Sequence, residues 1–194
     1  MPTPVFDTPP SRLRRTLLGT CLAPLAGPMR AQTNMVDSEG RPVRAIEVPY
    51  VATPDRVVSA MLDLAGVGHD DVVYDLGCGD GRLVVAAARE RGARGVGVEI
   101  DRELVALARA RAAQAGVSDR VRFEEGDLFE LDLRPATVVM MYLSDDLNTR
   151  LWPRLRSQLR RGARVVSHRF IVRDVPADKS VDAYDARLHM WTMR

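Results

Sequence analysis

Residues 75–81 read Asp75-Leu76-Gly77-Cys78-Gly79-Asp80-Gly81, an acid followed by glycines at alternate positions. Glycines so spaced let the backbone turn sharply and come close to a ligand. A short apolar run, 71–76, precedes them, and an Ala- and Val-rich stretch, 83–91, follows. A glycine turn that leaves a buried strand and enters a helix lies where ligands bind in open α/β sheets. The N-terminus of the next helix offers N–H groups to a polar or anionic ligand. A nicotinamide dinucleotide would need Gly or Ala at position 82 to complete its G-x-G-x-x-G pattern. Arg82 stands there instead, and Asp75 would repel a pyrophosphate. The loop therefore suits a cofactor with a positively charged amino acid moiety.

Two more acids follow at the ends of later strands. Glu99 closes Gly95-Val96-Gly97-Val98-Glu99-Ile100, where an acid can accept both hydroxyls of a ribose. Asp127, in Gly126-Asp127-Leu128-Phe129, can accept a hydrogen bond from an adenine amino group. One such acid alone reads as a solvated strand end. Three in succession behind a glycine loop read as a nucleoside site.

The elements that must carry these residues alternate along the chain. Thr53-Pro54 predicts a helix start with Thr53 as cap, and Val57, Val58, Met61, Leu62 and Leu64 follow at helical spacing up to Gly66 and Gly68. Strands are predicted over 71–76, 95–100, 121–125, 137–142 and 164–170, and helices over 83–91, 103–114 and 145–160. Asp101 and Ser144 are the predicted caps of the last two helices, and Pro153 is expected to kink or restart the second of them. Residues 180–182 and 188–193 predict a closing hairpin. The expected fold is α/β and doubly wound: five βα repeats, then an antiparallel hairpin, giving a mostly parallel seven-stranded sheet with helices on both faces.

On these residues the chain resembles class I methyltransferases, a Rossmann-like fold that uses S-adenosyl-L-methionine. Pro49-Tyr50-Val51-Ala52-Thr53-Pro54, the stretch 74–82, Val98-Glu99-Ile100, Gly126-Asp127-Leu128 and the stretch 164–170 resemble the smaller family of the ATP synthase c-subunit lysine N-methyltransferase and its bacterial relatives. The resemblance covers about residues 45–194, Trp191 included. It implies that Asp75, Gly77 and Gly79 contact the methionine portion of the cofactor, with Cys78 and Gly81 completing the loop. Glu99 and the adjoining Ile100 would hold the ribose, and Asp127 with Leu128 would frame the adenine. It also implies a protein-lysine acceptor. A small-molecule acceptor, or cofactor binding without catalysis, are the alternatives.

The segment after the fourth strand commonly faces the acceptor in this fold. Here it is Tyr142-Leu143-Ser144-Asp145-Asp146, without the Asn/Asp-Pro-Pro-Tyr/Phe pattern of enzymes that methylate planar amide or base nitrogens. Tyr142 and Asp145 are the acceptor-side candidates, with Tyr50 covering the site. A strand-end packing role for Tyr142 and a first-turn helix role for Asp145 are the plain alternatives. His168 is a tempting base, though a strand histidine is more often packed. Arg150, Arg154, Arg156, Arg160 and Arg161 read as a solvated helix face or an RNA-facing stripe. Met140 and Met141 read as core.

Composition narrows the partners. Residues 1–35 carry four arginines and one acid, more than the whole net charge of +2, so the remainder is slightly acidic. That gives no case for nucleic acid. The 194 residues suit one domain, taken as 36–194, behind a leader or tail. Within the leader, Ser11-Arg12-Leu13-Arg14-Arg15-Thr16-Leu17-Leu18 resembles a twin-arginine export signal, with Ala31-Gln32 as a cleavage point. A cytoplasmic location suits a cofactor made in the cytosol, and periplasmic export is the alternative. No apolar run approaches the roughly 20 residues of a spanning helix. No metal is expected, and a disulfide between Cys21 and Cys78 is not expected.

Overall fold

The computed structural model describes residues 49–194 and, before them, only the backbone pair β1 (Met35–Val36) and β2 (Pro42–Val43). The leader, its cleavage point and Cys21 lie outside the described residues. The chain continues through α1 (Asp55–Ala65), β3 (Val72–Leu76), α2 (Arg82–Arg91), β4 (Arg94–Glu99), α3 (Arg102–Gln114), β5 (Val121–Glu125), β6 (Val138–Met141), α4 (Asp145–Gln158), β7 (Arg164–His168), β8 (Lys179–Ala183) and β9 (Ala186–Thr192).

The main sheet has seven strands in the order β5-β4-β3-β6-β7-β9-β8. β3 to β7 are parallel, and β9 runs antiparallel to both β7 and β8. The predicted doubly wound sheet and closing hairpin are therefore present. The order reverses at β3, whose neighbours are β4 and β6, so the carboxyl end of β3 sits at the switch point where such sheets open a crevice. The glycine loop begins there.

Side chains alternate between two faces. Val73, Val138, Met140 and Val166 pack with Val57, Val58, Met61 and Leu62 of α1 and Leu83, Ala86 and Ala87 of α2. Tyr74, Leu76, Val139, Met141 and Val165 pack with Leu147, Leu151 and Leu155 of α4 on the other side. Val105, Ala108 and Ala112 of α3 close a third cluster with Val84, Val85, Ala88 and Phe123. Their spacing along α3 is the helical period that marks a buried stripe.

Four local expectations change. α1 starts at Asp55, because the carbonyl of Pro54 takes the first helical bonds, from Val57 N (2.8 Å) and Val58 N (3.0 Å). Thr53 is thus not the cap. β7 ends at His168, where Arg169 adopts a left-handed φ of 67°. α4 runs through Pro153 without restarting, with Leu151 and Leu155 fully buried on either side of the missing N–H. And β5 connects to β6 with no helix, so five complete βα repeats do not form.

That last difference has a chemical cause. Asp127 Oδ1 accepts from Phe129 N (2.8 Å), and Asp132 Oδ1 from Arg134 N (3.1 Å); such turns compete with helix. α4 holds the resulting loop in place. Arg154 donates to Leu131 O (3.0 Å), Gln158 accepts from Leu133 N (2.8 Å), and the Arg150 guanidinium lies 4.8 Å from the Phe129 ring centre. Part of the arginine stripe thus serves intramolecular packing.

Candidate functional site

Asp75 is the buried penultimate residue of β3, and after Leu76 the chain turns through Gly77, Gly79 and Gly81, all at positive φ. Gly77 N and Cys78 N both donate to Val98 O at 3.0 Å, and Gly81 N donates to Cys78 O at 2.9 Å. Gly79 N donates to Glu99 Oε2 (2.9 Å), and Arg82 N to Asp80 Oδ1 (3.3 Å). These five N–H groups face partners within the chain and are not offered to an anion. The loop is stitched instead to the end of β4.

Close approach accounts for the glycines. A Cβ on Gly79 would lie 2.2 Å from the Tyr50 ring, and one on Gly77 would lie 2.9 Å from Leu143 Cδ2. Tyr50 therefore lies over the loop, and Leu143 ties the end of β6 to it. Gly81 packs against Phe123 and Ala108. Cys78 contributes its backbone to the turn, but its thiol is buried against Gly97 and Phe123 in the cluster of α2 and α3. Burial, then the nearby Asp75 and Glu99 carboxylates, push that thiol well above its usual range.

The electrostatics separate the loop's acids. Burial works against ionising Asp80, but the guanidinium of Arg82, and then that of Arg111, hold its carboxyl below the usual range. Arg82 Nη2 is 2.7 Å and Arg111 Nη2 2.5 Å from Asp80 Oδ2. Asp75 is different. Desolvation, then the charges of Glu99 and Asp80, push its carboxyl up to about 7. Every charge affecting it is negative. A buried carboxylate in that setting is stabilised by a cation. The ammonium of an amino acid moiety fits, whereas a phosphate does not.

Glu99 stands beside Asp75 at the end of β4. Its Oε2 holds Gly79 N, and its Oε1 accepts from Ile100 N (2.8 Å) and Asp101 N (3.1 Å). Gly126 N donates to Glu99 O (2.9 Å), so the turn carrying Asp127 and the half-buried Leu128 adjoins Glu99. Asp127 uses Oδ1 to hold Phe129 N.

The acceptor-side candidates sit across from the loop. Parallel register pairs Met141 with Ser167, which puts Tyr142 beside His168. Their ring centres are 3.9 Å apart, and Phe170 stacks on Tyr142 at 5.9 Å. Thr53 Oγ1 lies 3.4 Å from His168 Nδ1, and Thr53 O accepts from Arg82 Nη1 (3.1 Å), so the lead-in 49–54 bridges loop and stack. Asp145 Oδ1 accepts from Ile171 N at 2.8 Å. Sequence reading missed Arg111, Thr53 and Leu143 as members of this arrangement. Thr53 carried a signal as a polar residue before Pro54, but it pointed to a cap.

His168 is 2% exposed. Desolvation, then the charge of Arg169, lower its pKa from 6.5 to about 4. The folded value lies below the unfolded one, so its contribution is intact above pH 6.5 and is lost as pH falls through 4. In urea unfolding, the stability of the protein relative to His168→Gln should therefore fall by ~3 kcal/mol between pH 7 and pH 4. A difference independent of pH would show that His168 titrates normally.

Among the described residues no group of His, Cys, Asp and Glu could hold a metal ion, and no helix is long and apolar enough to cross a membrane. A family model described as the ANTKMT methyltransferase domain matches residues 75–179. A Saccharolobus islandicus protein named protein-lysine N-methyltransferase is 47% identical over 127 residues, covering 65% of this chain and 79% of that protein. The ATP synthase c-subunit lysine N-methyltransferase of Caenorhabditis elegans is 34% identical over 134 residues, covering 66% of this chain and 70% of that protein. A crystal structure described as an RNA methyltransferase from Salinibacter ruber with S-adenosyl-L-homocysteine is 51% identical, with a TM-score of 0.73, covering 74% of this chain and 94% of that one.

Proposed function

This chain belongs to the family of the ANTKMT methyltransferase domain and is an S-adenosylmethionine-dependent methyltransferase, and from that premise we propose that it methylates a lysine side chain of a protein. The observation that carries the acceptor reading is the Tyr142–His168–Phe170 stack at the ends of β6 and β7, joined to the glycine loop through Leu143 against Gly77.

When bound, S-adenosylmethionine supplies a methyl group on a sulfonium, ready for direct displacement. Asp75 would hold the ammonium, the backbone at Gly77 and Gly79 would line the methionine portion, Glu99 would accept from the ribose hydroxyls, and Asp127 and Leu128 would frame the adenine. Tyr142 and Phe170 would form an aromatic wall for the acceptor. Such rings attract a cationic amine and tolerate it once methylated. Burial against them also favours the neutral amine, the form that carries the attacking lone pair. Tyr50, over Gly79, would help exclude water. The work left to these side chains is alignment.

A second reading, RNA methylation, is favoured by the description of the 51% identical Salinibacter protein. Incubation with methyl-labelled cofactor and a cell lysate, followed by protease or ribonuclease, separates the two. Label that survives ribonuclease, disappears with protease and is recovered as methyl-lysine is the expected result. Label lost to ribonuclease alone, or found only in small molecules, contradicts the lysine reading.

A further inference from the structure

Three residues on one face of the first turns of α4 grip the backbone that follows β7. Asp145 Oδ1 accepts from Ile171 N at 2.8 Å. Asn148 Nδ2 donates to Phe170 O at 3.2 Å and to Ser167 Oγ at 3.0 Å. Thr149 Oγ1 accepts from Arg173 N at 2.9 Å. Their spacing, i, i+3 and i+4, puts all three on the same side of a helix. Arg173 adds an ion pair to Asp146 at 2.7 Å, and its substantial exposure makes that pair a minor contributor.

The gripped segment, 169–173, is not regular structure and needs such support. Arg169 has a φ of 67°, which a non-glycine residue adopts only at a cost. Phe170 N donates back to His168 O at 2.8 Å, a tight reversal straight after the strand. The reversal turns the Phe170 ring onto Tyr142 and leaves Ile171 44% exposed beside it. Asn148 is fully buried and leaves its Oδ1 without a partner among the described residues. A buried unpaired acceptor costs roughly 1–3 kcal/mol. An apolar residue would avoid that cost, so the position is being used for what the amide donates.

We propose that Asp145, Asn148 and Thr149 are positioning residues that clamp segment 169–173, and with it the Phe170 side of the acceptor wall, against the aromatic stack. Asp145 serves through an oxygen that accepts a backbone N–H, not through proton transfer. The cofactor half of the site, at the ends of β3, β4 and β5, does not depend on the clamp. The inference rests on the acceptor side described above but not on the acceptor being lysine.

The test compares Thr149→Ala, Thr149→Ser, Asn148→Ala, Asp145→Ala and Asp145→Asn. Total methyl transfer into an unfractionated lysate gives the rate, and calorimetry with S-adenosylhomocysteine gives cofactor affinity. Transfer is expected to fall about tenfold in the three alanine variants. Thr149→Ser and Asp145→Asn, which keep the accepting oxygen, should recover most of it. Cofactor Kd should stay within about twofold throughout. Full loss in Asp145→Asn would show that the charge itself is needed, and cofactor affinity falling in step with transfer would show general damage; either overturns the proposal. Amide exchange gives a reading that does not depend on the acceptor. Ile171 N–H in Asp145→Ala and Arg173 N–H in Thr149→Ala should exchange at least tenfold faster, and unchanged protection at both overturns the clamp even if no lysate fraction takes up label.

Discussion

Asp75→Asn is expected to weaken S-adenosylmethionine binding about 30-fold at pH 7.5, close to 2 kcal/mol, and to remove its dependence on pH below 7. The Asp75 carboxyl sits among the charges of Glu99 and Asp80 and is pushed up to about 7. Below that value it is neutral and must lose a proton before it can pair with an ammonium. Affinity should therefore rise about tenfold from pH 6 to pH 7.5 and fall again as the cofactor's own amine titrates near pH 8. Calorimetry in buffers of different ionisation enthalpy should show nearly one proton released on binding at pH 6, and none in Asp75→Asn. Stability should respond with the opposite sign. The folded pKa lies above the unfolded value, so the contribution is intact below pH 3.8 and is lost as pH rises through 7. The cofactor-free Asn variant should thus unfold at a higher temperature than the parent at pH 8. An unchanged affinity and proton count would remove Asp75 from the cofactor site.

Glu99→Ala should weaken the cofactor tenfold or more, about 1.4 kcal/mol or above. Its carboxylate is placed to act twice. Oε2 holds Gly79 N and so fixes the loop, and from the end of β4 the group would also accept from the ribose hydroxyls of the bound cofactor. Hydrogen bonds to a charged acceptor contribute ~1.5–3 kcal/mol each, so losing both functions is costly. A cofactor analogue without the ribose hydroxyls separates them. It should bind the parent more weakly than S-adenosylhomocysteine does, and Glu99→Ala should lose most of that discrimination. Equal discrimination in parent and variant would confine Glu99 to holding the loop.

Much of this arrangement was legible in the sequence because its signals are local. Asp101 and Ser144 cap α3 and α4 as read, accepting from Glu103 N and Leu104 N and from Leu147 N. The predicted bounds of β5, 121–125, match those observed. The glycine turn follows β3 as read, because three alternate glycines can adopt the positive φ that the turn requires. Long-range pairing was less visible. Arg111 reaches Asp80 from the far end of α3, and nothing in the spacing of α3 distinguishes it from Arg109, which donates to Phe123 O. Tyr142, His168 and Phe170 meet through the β6–β7 register, and a one-residue slip would have separated them. The sequence reading placed no helix between β5 and β6, and the count of five repeats overlooked that gap. Asp127 and Asp132 each draw a nearby N–H into a local turn, and that choice is made in the folded chain. Cys78 illustrates a different limit: a loop motif assigns the backbone, while tertiary packing decides where the side chain goes.

The turn leaving β3 is expected to grip a sulfonium cofactor by its amino acid end. A crystal structure with S-adenosylhomocysteine tests it most directly. The expected result has the ligand's ammonium against the Asp75 carboxylate, its ribose hydroxyls on Glu99 and its adenine beside Asp127 and Leu128. Density for the ligand elsewhere, with Asp75 still facing only Glu99 and Asp80, would contradict the account.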